Sequence, residues 1–194
     1  MELLDVIRFE QTRRQRWRNG GGWTREIALA GDLADFDWRL SLAEVERDGP
    51  FSLFPGIERE IVLLSGAGMV LDFADGECAG LTPEIPRLRF AGERALHSRL
   101  LDGPTTDFNL MWARQRIDAE LWRRPLAGAT TVWAEPGETW AVHLVEGEAW
   151  LPDAGDLRLA RGDTVLLSGG ARRRRQCMEA NGHALVIRLR RLPA

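Results

Sequence analysis

The segment Leu159-Ala160-Arg161-Gly162-Asp163-Thr164-Val165-Leu166-Leu167 reads as a strand, a tight Gly-Asp turn and a second strand. Just upstream, His143-Leu144-Val145-Glu146-Gly147-Glu148-Ala149 reads as a strand that runs into a turn at Gly147, with another strand after it. A similar unit stands in the first half of the chain, Val62-Leu63-Leu64-Ser65-Gly66-Ala67-Gly68, with its turn at Gly66. The two turn glycines lie 81 residues apart (147 minus 66), a faint internal repeat. Outward from these units, short apolar or alternating runs recur, each closed by Gly, Pro or Asp. They fall at Leu4–Arg8, Thr24–Leu29, Trp38–Val45, Ile61–Leu64, Met69–Phe73, Thr131–Ala134, Trp140–Val145, Ala149–Leu151, Thr164–Leu167 and Ala184–Arg190. Few windows carry helical spacing; Met111–Arg116 reads equally as a turn of helix or a strand. Many short strands with tight turns imply an all-β sandwich or barrel.

The order of strand, turn glycine, strand and Gly-Asp turn resembles the cupin barrel. Two copies make a bicupin: two cupin-like β-barrels or jelly rolls packed together, with little helix. The expected halves are residues 1–115 and 116–194.

The chain has 194 residues, with 44% hydrophobic and 28% charged, the balance of a water-soluble globular protein. No apolar run approaches the roughly 20 residues that span a membrane. Acidic residues in Met1-Glu2-Leu3-Leu4-Asp5 stand where a signal peptide has basic ones, so a cytoplasmic location is expected. Cys78 and Cys177 are far apart and read as reduced, non-catalytic thiols. The net charge of −3 gives no general pull toward nucleic acid. Arg172-Arg173-Arg174-Arg175 is a basic run without interleaved aromatics and reads as a solvated hairpin edge. All 26 basic residues are Arg, the side chain best suited to bidentate carboxylate binding.

Trp17-Arg18-Asn19-Gly20-Gly21-Gly22-Trp23-Thr24-Arg25-Glu26 places three glycines between two tryptophans, beside an amide, guanidiniums and a carboxylate. It lacks the spacing and the Lys of a phosphate-binding loop. Together with Phe36–Val45, Gly49–Arg59, Leu63–Met69 and Gly103–Met111, in that order, it resembles the HutD/Ves family. The resemblance covers roughly residues 15–115; beyond about 120 it is generic. It implies a cupin-like fold and a regulatory or ligand-sensing link to bacterial histidine utilisation. No established catalytic reaction comes with it.

A cupin metal site needs two or three His and a Glu. The chain has only His97, His143 and His183. His143 fits one ligand position, but the next falls on Val145 and the last on Arg173, so no metal and no cofactor are expected. His143 reads as a polar residue inside a barrel, and His97 and His183 as surface residues.

The chemistry is expected elsewhere. In Trp38–Val45, Trp38, Leu40 and Leu42 face one way, while Arg39, Ser41 and Ala43 face the other and leave room for a guanidinium to meet a ligand. Pro55-Gly56 fits a type II turn and starts a strand that carries Arg59. Asn19 and Arg25 flank the glycines, and Trp17 and Trp23 are candidate pocket walls. Asp107, Asn109 and Met111 share one strand face, and Ser52 lies within the Gly49–Arg59 motif. The expected ligand-binding set is therefore Trp17, Asn19, Arg25, Arg39, Ser41, Ser52, Arg59, Asp107, Asn109 and Met111. Such a set suits a small anionic metabolite, a carboxylate or dicarboxylate, with no nucleic acid or membrane partner and a possible homodimer. Two other readings stay open. One is a metal-independent isomerase or hydrolase, with Glu44, Asp107 and His143 as candidate acids and bases. The other is an interaction protein acting through an exposed face.

Overall fold

The computed structural model describes residues 4–193. The described chain is all-β, with two short 3-10 turns at Phe9–Gln11 and Pro152–Ala154 as its only helical elements. It divides into two units: residues up to Thr12 with those from Ile117 onward, and Arg13–Arg116.

In chain order the strands are β1 (Leu4–Ile7), β2 (Arg14–Arg16), β3 (Gly22–Asp32), β4 (Asp35–Val45), β5 (Gly49–Pro50), β6 (Ile57–Ser65), β7 (Met69–Phe73) and β8 (Cys78–Leu81). There follow β9 (Arg87–Ala91), β10 (Leu96–Leu100), β11 (Thr105–Ala113), β12 (Ile117–Ala134), β13 (Glu138–Leu151), β14 (Leu157–Ala160), β15 (Thr164–Ser168) and β16 (Arg174–Arg191).

The Arg13–Arg116 unit holds a six-stranded sheet in the order β2-β3-β4-β11-β6-β9 and a four-stranded sheet in the order β5-β10-β7-β8. Inward-facing Val45, Ile61 and Leu63 of the first meet Met69, Leu71 and Leu96 of the second in one buried cluster. The other unit is a six-stranded sheet, β1-β15-β13-β16-β12, with β14 paired to β13. Its core includes Leu144, Leu151, Leu159, Val165, Met178 and Ala184. Here the first strand departs from a simple division of the sequence into 1–115 and 116–194. Leu4–Ile7 pairs with Thr164–Leu167, so the chain's beginning completes the sheet formed by its end.

The expected turn at Gly147 is corrected. Gly66 does close a turn between β6 and β7, but Gly147 lies within continuous β13. The ladder to β16 slips between Leu144 and Glu146, and Gly147 (φ +84°) stands opposite Gly182 (φ +133°). A Cβ on Gly147 would overlap the Asn181 carbonyl, and one on Gly182 would overlap that of Glu146. The glycines serve a bulge, which bends a strand without ending it. Trp140–Val145 and Ala149–Leu151 therefore form one strand rather than two. In the Met111–Arg116 segment, Met111–Ala113 closes β11 and Arg114–Arg116 form the turn into β12, where the Arg116 N–H donates to the Ala113 carbonyl at 2.9 Å.

Candidate functional site

Residues directly paired across an antiparallel ladder share a face. The six-stranded sheet of the Arg13–Arg116 unit therefore displays three cross-strand rows. One runs Arg39, Met111, Arg59, Phe90; the next Glu26, Ser41, Asn109, Ile61; the third Thr24, Ala43, Asp107, Leu63. Polar and charged side chains occupy the middle of a face whose far end is hydrocarbon. Over them lies a pocket of about 580 Å³.

Trp17, Asn19, Arg39, Ser41, Ser52, Arg59, Asn109 and Met111 all line this pocket. Arg59 is its most unusual member. The turn that aims it is built as the sequence suggests: Gly56 has φ +77° and the Ile57 N–H donates to the Phe54 carbonyl at 3.2 Å. Arg59 is only 5% exposed. Its guanidinium carbon lies 5.1 Å from the Phe51 ring centre, 5.2 Å from Phe90 and 5.7 Å from Phe54, within cation–π range of all three. Burial lowers its pKa to about 10; the Asp107 carboxylate opposes that shift and the Arg39 charge adds to it. Arg59 is thus a cation at neutral pH, and its Nε has no hydrogen-bond partner among the described residues. Asn109 Oδ1 beside it is likewise buried and unpartnered.

Arg39 is compensated differently. Its Nε donates to Glu26 Oε2 at 2.9 Å. Trp17 forms a wall, with its indole N–H bonded to Thr24 Oγ1 at 2.7 Å and its ring edge-on to Phe51. The glycine segment is a built corner. Asn19 Oδ1 accepts the Gly21 N–H at 3.0 Å, and the Gly21 carbonyl accepts the N–H groups of Glu46 and Arg47. A Cβ on Gly22 would overlap the Glu44 carbonyl and press on the Trp17 ring at 3.1 Å, so only glycine lets β3 lie this close.

Three expected residues, Arg25, Trp23 and Asp107, are not on the pocket wall. Arg25 follows Thr24 on β3, and Thr24 lines the pocket, so strand alternation directs Arg25 to the opposite face. Trp23 shares that face. It stacks on Arg14 and Arg16 at 4.1 and 4.7 Å and donates its N–H to Glu46, so it is no pocket wall. Asp107 lies behind the wall. It is fully buried, and neither carboxyl oxygen has a hydrogen-bond partner among the described residues. Burial pushes its pKa up to about 7, with Arg59 pulling it back. Sequence reasoning missed Arg16, Arg18, Thr24, Phe51 and Phe54, which also line the pocket. The two phenylalanines lay inside a motif already noted, but nothing in the sequence says that they cage a guanidinium.

His143 belongs to the other unit. It is 2% exposed, with Nδ1 2.9 Å from Thr164 Oγ1. Among the described residues no three His, Cys, Asp or Glu side chains gather as a metal ion would require. Among the described residues no helix is long and apolar enough to cross a membrane.

Two antiparallel β units in one all-β chain have the bicupin fold. The chain belongs to the HutD family, whose model matches residues 9–186. It is 41% identical over 123 residues to an uncharacterised 21.2 kDa protein in the hutC 3′ region of Pseudomonas putida, covering 62% of this chain and 64% of that one. It is 39% identical over 123 residues to Protein Ves of Citrobacter koseri, covering 62% of each. The matches thus span somewhat under two thirds of these relatives. The structure of HutD from Pseudomonas fluorescens SBW25, in a formate condition, superposes with a TM-score of 0.83 at 31% identity, covering 98% of this chain and all (100%) of that one. An oxalate decarboxylase from Lactobacillus farciminis, in a formate complex, shares the fold alone: TM-score 0.63, 11% identity, covering 100% of this chain and 87% of that one.

Proposed function

We propose that the pocket of the Arg13–Arg116 unit binds a small carboxylate metabolite without turning it over, and that this binding modulates histidine utilisation. The observation that carries the reading is Arg59: a buried, aromatic-caged cation whose Nε is unpartnered, beside the equally unpartnered Asn109 Oδ1. Buried polar groups without partners are rare and costly, and a ligand that satisfies them recovers that cost. The ligand's carboxylate accepts from Arg59, and a donor on the ligand meets Asn109 Oδ1. At about 580 Å³ the pocket exceeds a one-carbon acid, and Arg18 on its wall offers a second anionic group a partner. Urocanate and formyl- or formimino-glutamate fit these requirements. The hutC neighbourhood of the Pseudomonas putida relative and the formate condition of the fluorescens HutD structure agree with the choice.

Thermal melts and calorimetry against these three compounds test it. A ligand that binds only the folded state at a hundred times its Kd adds about 2.7 kcal/mol. A raised Tm for wild type, its loss in Arg59→Gln and unchanged ligand NMR peaks after long incubation are expected. New product peaks would replace the binder with the enzyme reading. Absence of any shift at millimolar concentration would remove the carboxylate reading.

A further inference from the structure

We propose that Asp107 is the proton-coupled counter-ion of this pocket: a carboxylate settling on Arg59 makes Asp107 take up a proton, so the deep end accepts a monoanionic head. The inference rests on the carboxylate reading above.

Asp107 and Asn109 are two apart on β11 and share a face, and Asp107 sits in the row beyond Asn109, between Ala43 and Leu63. The carboxyl group is sealed from solvent and has no donor beside it. An ionised carboxylate in that position lacks the hydrogen bonds that normally hold one charged. The charges around it are few. From β6 comes Arg59, among the described residues the only charge acting on it appreciably, with no direct ion pair between the two. From β4 comes Arg39, which acts on Arg59 and is itself bonded to Glu26 of β3. On β6, Glu60 pairs with Arg87 and Glu58 with Arg89, on the opposite face of the sheet from Arg59. β11 brings no other charged group. The facing sheet contributes apolar Met69, Leu71 and Leu96, and Ser98, which is bonded to the Gly49 carbonyl.

One guanidinium thus serves two anions in turn. Without ligand, Arg59 is the charge among the described residues that favours ionised Asp107. A bound carboxylate occupies Arg59 and repels the neighbouring anion, and in so dry a site two like charges do not both ionise. Asp107 then takes a proton from solvent and returns it when the ligand leaves.

Formate serves as the probe, because it is fully ionised from pH 6 upward. Its Kd is measured at constant ionic strength from pH 6 to 8.5, together with the side-chain ¹³C resonance of Asp107, assigned by its loss in Asp107→Asn. The expected result is a Kd flat near pH 6 and rising toward tenfold per pH unit above neutrality, with the resonance moving to its protonated position on saturation at pH 7. Asp107→Asn, or Asp107→Ser should the first fail to fold, binds formate with a pH-independent Kd. Formate binding at a pH-independent Kd with Asp107 staying ionised would overturn the coupling and leave the carboxylate pocket standing. No binding at any pH, to wild type or variant, would overturn both.

Discussion

Arg39 and Arg59 stand in one cross-strand row, each directly opposite Met111 and on either side of it. Their surroundings make them unequal. Arg39 is held by Glu26, whereas Arg59 has aromatic rings and the buried Asp107 carboxyl, with which it makes no direct ion pair. An incoming anion must compete with Glu26 for Arg39, whereas Arg59 Nε has no hydrogen-bond partner among the described residues. Arg59→Gln is therefore expected to weaken carboxylate binding by roughly a hundredfold, and Arg39→Gln by about tenfold, in line with about 1.5–3 kcal/mol for hydrogen bonds to charged groups. Arg59→Met should fold, because it removes a buried charge and keeps the hydrocarbon stem. Calorimetric titration on the three variants checks the ranking; equal losses at the two arginines would contradict it.

Asp107 makes stability depend on pH in a definite direction. Its folded pKa of about 7 lies above the ordinary 3.8, so its contribution is fully present below about pH 4 and is lost as pH rises through 7. Three pKa units correspond to at most about 4 kcal/mol. Asp107→Asn carries no such penalty. Urea melts of the ligand-free protein should show it gaining on wild type between pH 5 and pH 8. A difference that is constant with pH would mean that Asp107 titrates normally.

The sequence exposes some of this arrangement and hides the rest for identifiable reasons. Trp38–Val45 alternates cleanly, so the pocket face of β4 can be read residue by residue. Thr24 and Arg25 are both polar, so alternation alone does not say which of them faces inward; the pairing of Thr24 with Ala43 decides it. Arg87–Ala91 is hard to see as a strand because charged Arg87 and Arg89 occupy its outward positions beside Glu60 and Glu58. At Gly147 a bulge and a turn call for the same residue, and only the register with β16 separates them. The burial of Arg59 depends on Phe51, Phe54 and Phe90 arriving from separate segments, which no local pattern records.

His143 tests the other unit in the opposite sense. Burial lowers its pKa to about 4 from 6.5, with Asp163 opposing. A base with a depressed folded pKa contributes stability that is present above pH 6.5 and lost as pH falls through 4. The shift corresponds to roughly 3 kcal/mol. His143→Gln should remove this acid limb between pH 6.5 and 4 while preserving a polar contact to Thr164. Melts of the two proteins in parallel at pH 4.5 and 7 are sufficient, and identical pH profiles would show that His143 is not buried as a neutral ring.

The three glycines of the Trp17–Glu26 segment should differ sharply in tolerance, because each is glycine for a different reason. A Cβ at Gly21 meets only the Asn19 side chain, at 3.3 Å, which can shift, so Gly21→Ala should cost well under ~1 kcal/mol. A Cβ at Gly20 meets only the Arg16 guanidinium, at an ordinary 4.0 Å, but φ is +70°, a conformation that costs an alanine about 1 kcal/mol. At Gly22 the obstacle is the Glu44 backbone carbonyl itself, in the strand that also carries Arg39 and Ser41. Relief requires β3 and β4 to separate, so Gly22→Ala should cost about 1–3 kcal/mol. Because the displaced strand is the pocket floor, Gly22→Ala should also weaken formate binding in protein that is still folded, whereas Gly20→Ala should lower stability and leave the Kd near wild type. Chemical denaturation paired with formate titration separates the two effects. A Gly22→Ala protein with normal affinity would show that the glycine corner is a plain turn, independent of the pocket.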